Sequence, residues 1–160
     1  MEPHITSSNA RSLSPQIESE PPSAVGQPQS AIGNSSSAAG QPRAKILLHG
    51  HCYQKARPPA ADGYPIGVAA TIAMLEAVGC QVSLIEAGCC GMAGAFGYEA
   101  EHYELSMKIG EFALFPAVRV AGEEVIVAAS GVSCQSQIEE GARKKAMHPI
   151  CLVAIFAHAS

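Results

Sequence analysis

Three short apolar runs set the terms for this chain: Lys45-Ile46-Leu47-Leu48-His49, Cys80-Gln81-Val82-Ser83-Leu84-Ile85 and Glu124-Val125-Ile126-Val127-Ala128-Ala129. Each has the length of a strand and the β-branched or alternating pattern of one. The stretches between them read as helices. Residues 65–78 place Val68, Ile72, Leu75 and Val78 at helical spacing, with Pro65 suited to a first turn and Gly79 to a C-terminus. Residues 99–114 bring Tyr103, Met107, Gly110 and Leu114 near one face, and put Glu99 and Glu101 in a first turn, where the helix dipole favours acids. Ser133 reads as the N-cap of a helix through Ile138 toward Gly141, and a last apolar helix runs from Pro149 to Ala157. Strands alternating with helices predict an α/β fold: a small open parallel sheet with right-handed crossovers and flanking helices. Three strands make a thin sheet, so a partner half is expected to complete it.

Composition divides the chain. Residues 1–43 hold ten Ser, six Pro, four Gln, five Ala and three Gly, and no aromatic residue. Such a stretch buries too little apolar surface to offset its ordering entropy, and is expected to be a disordered low-complexity tail. The folded domain is expected over residues 44–158, where 8 basic residues face 11 acidic ones. No basic stripe marks a nucleic-acid surface. The longest late apolar run, Ile150 to Ala157, is far short of the ~20 residues of a membrane span. The N-terminus has neither the basic nor the apolar region of a secretory signal, which points to the cytoplasm. Six cysteines in such a chain argue for metal or redox chemistry rather than a disulfide framework.

The cysteines fall in a pattern. Cys52 lies just past the first run, Cys89 and Cys90 just past the second, and Cys134 just past the third. Open parallel sheets bind ligands at the carboxyl ends of their strands, so four thiols from three loops are expected to converge there. Four thiolates at one point suit an iron–sulfur cluster or a tetrahedral zinc. The glycines of Gly88-Cys89-Cys90-Gly91-Met92-Ala93-Gly94 give two adjacent cysteines the backbone freedom to face one centre, and their N–H groups can bond cluster sulfurs. Cys134, near a helix N-terminus, is expected to have a lowered thiol pKa. Lys55 and His51 could place positive charge beside Cys52. His49 and His51 flank the end of the first run; each fits either an outer hydrogen-bond donor to the centre or an ordinary satisfied polar residue. Cys80 and Cys151 read as core residues. The glycine run lacks the GxG spacing of a dinucleotide fingerprint.

His51-Cys52-Tyr53-Gln54-Lys55-Ala56, Ala87-Gly88-Cys89-Cys90-Gly91-Met92-Ala93-Gly94 and Gly131-Val132-Ser133-Cys134 occur in order, with 36 residues between Cys52 and Cys89 and 43 between Cys90 and Cys134. They resemble the cysteine-rich CCG domain found in heterodisulfide reductase and in the iron–sulfur subunits of glycolate oxidase and anaerobic glycerol-3-phosphate dehydrogenase. FGYEAEHYE is most similar to the C-terminal iron–sulfur region of FAD-linked oxidases of the glycolate or D-lactate type. The resemblance covers about residues 44–150. It implies half of a CCG-type domain, with Cys52, Cys89, Cys90 and Cys134 as metal ligands and Gly88, Gly91 and His51 as further contacts to the cofactor. That family's pattern ends in CxxC; here Gln137 stands at the last position, which leaves a four-cysteine [4Fe–4S] or zinc site.

The resemblance further implies an electron-transfer module working with a flavin-containing oxidase domain or subunit, which would carry the FAD, and with a second iron–sulfur domain. Membrane association would be peripheral and through those partners. Flavin and ferredoxin-type cysteine runs are absent from this sequence, so the chain is expected to be a fragment or truncated product without a complete active site. A structural zinc domain, a thiol–disulfide exchange domain built on Cys89 and Cys90, and a truncated chain that binds nothing are the competing readings.

Overall fold

The computed structural model describes residues 41–158, so all but the last three positions of the expected tail lie outside it. The first strand, β1 (Ala44–His49), is followed by the single-turn helix α1 (Cys52–Lys55), helix α2 (Val68–Ala77) and strand β2 (Cys80–Leu84). A 3-10 turn (Phe96–Tyr98) leads into α3 (Tyr103–Glu111) and α4 (Leu114–Val120), then β3 (Val125–Ala129), α5 (Val132–Ala142), β4 (Ala146–Met147) and α6 (Pro149–Ala157). The strands form one open sheet in the order β2-β1-β3-β4, all parallel, as the α/β reading requires. Ala44 pairs with Cys80 on one side of β1, and His49 with Ala129 on the other.

Alternation along the strands divides the core between the two faces of the sheet. Ile46 and Leu48 of β1, Cys80 and Ala128 pack with Leu75 of α2 and Leu152 of α6. Val127 and Ala129 of β3 pack on the opposite face with Leu114, Phe115 and Val118 of α4 and with Ile138 and Ala142 of α5. Because the chain leaves β1 toward β2 and leaves β3 toward β4, strand order reverses between β1 and β3, and the crevice outside their carboxyl ends is the place where such sheets bind ligands.

Several local expectations shift. A fourth strand of only two residues adds to the edge, too short to show any periodicity. The helix expected over residues 99–114 is broken at Ala113, where φ is −151°, and resumes as α4 with Pro116 in its first turn; proline is tolerated there but would remove a hydrogen bond from a continuous helix. Glu99 and Glu101 therefore precede α3, and Glu104 is the acid of its first turn. Helix α2 begins at Val68, after Gly67, so Pro65 is not in its first turn. The N-cap of α5 is Gly131 rather than Ser133. Cys80 is buried as expected, but Cys151 is exposed: α6 is apolar all round yet covered on one side only, so Ile150, Cys151 and Ile155 face outward.

The α4 face is organised by Phe115, whose ring is fully buried between Gly110 of α3 and Gly141 of α5; a Cβ at either glycine would overlap the ring. One face of the ring lies under the Arg119 guanidinium, which also ion-pairs with Glu111 at 2.7 Å. Helix propensity alone predicts that Gly141→Ala stabilises by about 1 kcal/mol, whereas overpacking costs about 1–3 kcal/mol. Since the ring has no free space to move into, the expected result is a net loss on the order of 1 kcal/mol, measured as a lower denaturation midpoint.

Candidate metal centre

All three loops that leave the carboxyl ends of β1, β2 and β3 carry cysteine, and the fold fixes each one differently. Cys52 opens α1, whose entry is held by His51: its Nδ1 accepts the N–H of Tyr53 at 3.2 Å, and the Gln54 Oε1 returns to the His51 N–H at 3.1 Å. Gln54 also donates to Thr71 Oγ1 at 3.1 Å, which ties α1 to α2. Cys134 sits in the first turn of α5, anchored to β3 by a 2.8 Å bond from Gln135 Nε2 to the Ala129 carbonyl. Both lie where the parallel sheet ends, so the loops have little choice of direction.

The Cys89-Cys90 loop is held from below. Gly91 has φ +101°, and a Cβ there would overlap the Ser106 carbonyl and come within 3.0 Å of Gln137 Nε2. Only glycine meets both conditions cheaply. Gln137 is fully buried, and its amide donates to the Ser106 carbonyl at 3.0 Å and to Ser106 Oγ at 2.9 Å. The residue standing where the resembled pattern has its last cysteine is thus spent on packing α5 against α3 beneath the loop. From above, Lys55 Nζ donates to the Ala87 and Gly88 carbonyls. Burial pushes the Lys55 ammonium pKa down, against the pull of Glu86 and of the Cys134, Cys52 and Cys89 sulfurs.

Three ligand-type side chains converge inside: His49, Cys90 and Cys134 are all buried, and their ligand atoms lie within 4.8 Å of one another. Cys90 is held well down, to about 4, chiefly by the Cys134 thiol beside it and also by the His49 ring and the Met92 backbone N–H, against a burial cost that opposes the charge. Cys134 is pushed up, first by the Cys90 thiolate and then by burial. The expected low pKa therefore belongs to Cys90: its negative charge outweighs the helix N-terminus at Cys134. A thiol held below its ordinary pKa favours a metal that binds thiolate.

The remaining expected residues stand around this trio. Cys52 is exposed at the mouth, with Sγ 3.8 Å from His51 Nδ1; Cys89 is half-buried and its Sγ accepts the Gly91 N–H at 3.3 Å. The His51 ring stacks on Tyr53 and lies with Cys134 Sγ over Gly131. Gly88 has open space around it. The His102 Nδ1 lies 2.9 Å from the Glu99 carboxylate, and its ring stacks on Phe96. The donor set, sulfur with a buried imidazole whose ring nitrogens have no hydrogen-bond partner, fits a soft or borderline metal. What the sequence left open was His49; its place on the alternating face of β1 was the available signal. Gly91→Ala should strain the loop by about 1–3 kcal/mol, and each ~1.4 kcal/mol raises an open fraction about tenfold. The expected outcome is reaction of the buried Cys90 with a thiol reagent about 5- to 100-fold faster than in the parent protein, read by mass spectrometry.

The chain is similar to D-2-hydroxyglutarate dehydrogenase of Pseudomonas putida, with 32% identity over 110 residues, or 69% of this chain and 10% of that protein. The Escherichia coli enzyme of the same name is 31% identical over 101 residues, 63% of this chain and 9% of the relative. One subunit of the anaerobic glycerol-3-phosphate dehydrogenase of Escherichia coli is 32% identical over 111 residues, 69% of this chain and 26% of that subunit. The chain thus spans between about a tenth and a quarter of the length of these relatives, and is a distant relative of segments of dehydrogenases. No protein-family model and no solved structure matches it.

Proposed function

We propose that residues 44–158 form one CCG-type module holding an iron–sulfur cluster, of the [4Fe–4S] kind, for electron transfer in a flavin-linked oxidoreductase acting on 2-hydroxy acids. Cys52, Cys89, Cys90 and Cys134 would hold the cluster, with Gly88, Gly91 and His51 around it. The observation that carries the reading is the buried Cys90 and Cys134 pair at the strand ends, within 4.8 Å of the buried His49 ring, with Cys52 exposed and Cys89 half-buried. Similarity to segments of two kinds of dehydrogenase supports the oxidoreductase context. Such a cluster supplies one-electron storage at the potential its surroundings set. The chain's own part is to present thiolates, exclude water from the inner side and place a cation, Lys55, over the loop.

The partners in this reading are a flavin-bearing oxidase domain or subunit, which carries the FAD, and a second iron–sulfur domain, working in the cytoplasm. Any association with a membrane would be peripheral; among the described residues no helix is long and apolar enough to cross one.

A structural zinc site is the second reading, and one observation favours it. Tetrahedral zinc with bonds of about 2.3 Å to sulfur and about 2.0–2.1 Å to nitrogen sets its ligand atoms roughly 3.5–3.8 Å apart, and the inner trio is already within 4.8 Å. Reconstitution without oxygen separates the two. The expected product is brown, with about four irons per chain, and loses its colour in Cys90→Ser and Cys134→Ser while the exposed Cys151→Ser retains it. One zinc per chain and no visible absorbance would establish the second reading instead.

A further inference from the structure

His49 ends β1, is 1% exposed, and has no hydrogen-bond partner at either ring nitrogen. Leaving a buried polar group unpaired forfeits its hydration with nothing in return, so native folds keep few of them and each marks a missing partner or a functional role. Nor can the ring escape. Its backbone is locked by pairing with Ala129, and strand alternation puts its side chain on the face opposite Ile46 and Leu48, the face of Cys90 and Cys134. The ring's ligand atom lies within 4.8 Å of the Cys90 and Cys134 sulfurs, yet the ring makes no hydrogen bond of normal geometry. An outer donor to the centre would need to be held from its other nitrogen, as metal-bound and metal-supporting histidines usually are; here neither nitrogen is held.

We propose that His49 is itself an inner ligand of the centre, binding metal through a ring nitrogen together with Cys90 and Cys134, while one of the two outer thiols, Cys52 or Cys89, supplies the fourth position and the other is released from the ligand set. The inference rests on the metal-centre reading above and changes its ligand set from all-sulfur to mixed nitrogen and sulfur. The neighbouring position that could have offered another donor, Gln137, is committed to Ser106. A neutral imidazole in place of a thiolate leaves the centre one negative charge lighter, and histidine ligation raises the potential of iron–sulfur centres relative to all-cysteine ones.

The test uses the full chain, reconstituted without oxygen with iron and sulfide and then reduced, with histidine nitrogen either unlabelled or 15N. Pulsed electron paramagnetic resonance should show a directly bound nitrogen that responds to the label, persists in His51→Ala and vanishes in His49→Ala. The measurement on the parent protein requires no variant to fold. His49→Cys should restore full iron content with the nitrogen coupling gone and a lower midpoint potential. A cluster that forms with no histidine-nitrogen coupling, or whose coupling is lost only in His51→Ala, overturns the assignment and leaves the iron–sulfur reading standing. If no cluster forms, that reading fails and cobalt(II) becomes the probe of His49. Loss of affinity in His49→Ala beyond the roughly 10- to 100-fold that an outer partner is worth, with a change in the ligand-field bands, supports ligation by His49. Unchanged bands and affinity overturn it.

Discussion

Parallel pairing on both sides of β1 is the constraint from which the rest follows. Parallel strands must all finish at the same edge, and each needs a long return before the next can begin. In this chain the return from β1 passes over one face of the sheet and the return from β2 passes over the other, so the strand order reverses beside β1. Three loops then have to leave from one edge within a few ångströms of one another. Convergence of Cys90 and Cys134 with His49 is a consequence of that pairing, and no loop needs to fold back to achieve it.

The site that results is divided by burial. Its inner half is built of buried groups, and there two adjacent thiols oppose each other: the Cys90 pKa is drawn down and that of Cys134 is pushed up. Its outer half, Cys52 and Cys89, is open or half-open. Lys55 spans the boundary, with part of its stem covered and its ammonium on the loop carbonyls. The buried half is held in place by its packing, whereas the exposed Cys52 and half-buried Cys89 have room to move.

Much of this was legible before any coordinates. The strand runs are apolar, short and closed by turn residues, and the placement of cysteine after each one needs only the rule that parallel strands end together. The last helix was readable from Pro149 and the apolar run behind it, because proline at a first helical position is a local signal. Features set by non-local packing were not readable. The break at Ala113 answers to Phe115 seating between two glycines from other helices, and the two-residue β4 exists only because β3 offers an edge. Cys151 looks like a core residue in an apolar helix until one knows that only one side of α6 is covered. The site shows the same limit: each cysteine was placed by its loop, but the lowering of the thiol pKa at Cys90 rather than at Cys134, and the isolation of the His49 ring, depend on which atoms meet.

The bed beneath the cysteine loop has a consequence for how this sequence can vary. Gly91, Gly97, Ser106 and Gln137 come from three different segments, and each fills space that another leaves: a Cβ at Gly91 meets the Ser106 carbonyl and Gln137, and a Cβ at Gly97 meets the Ser106 side chain and Met92. A larger residue at any one of them has room only if a second becomes smaller. Among descendants of this chain these four positions should therefore drift as a set, with compensating changes in volume, while the exposed Ala95 in the same loop accumulates substitutions independently of them.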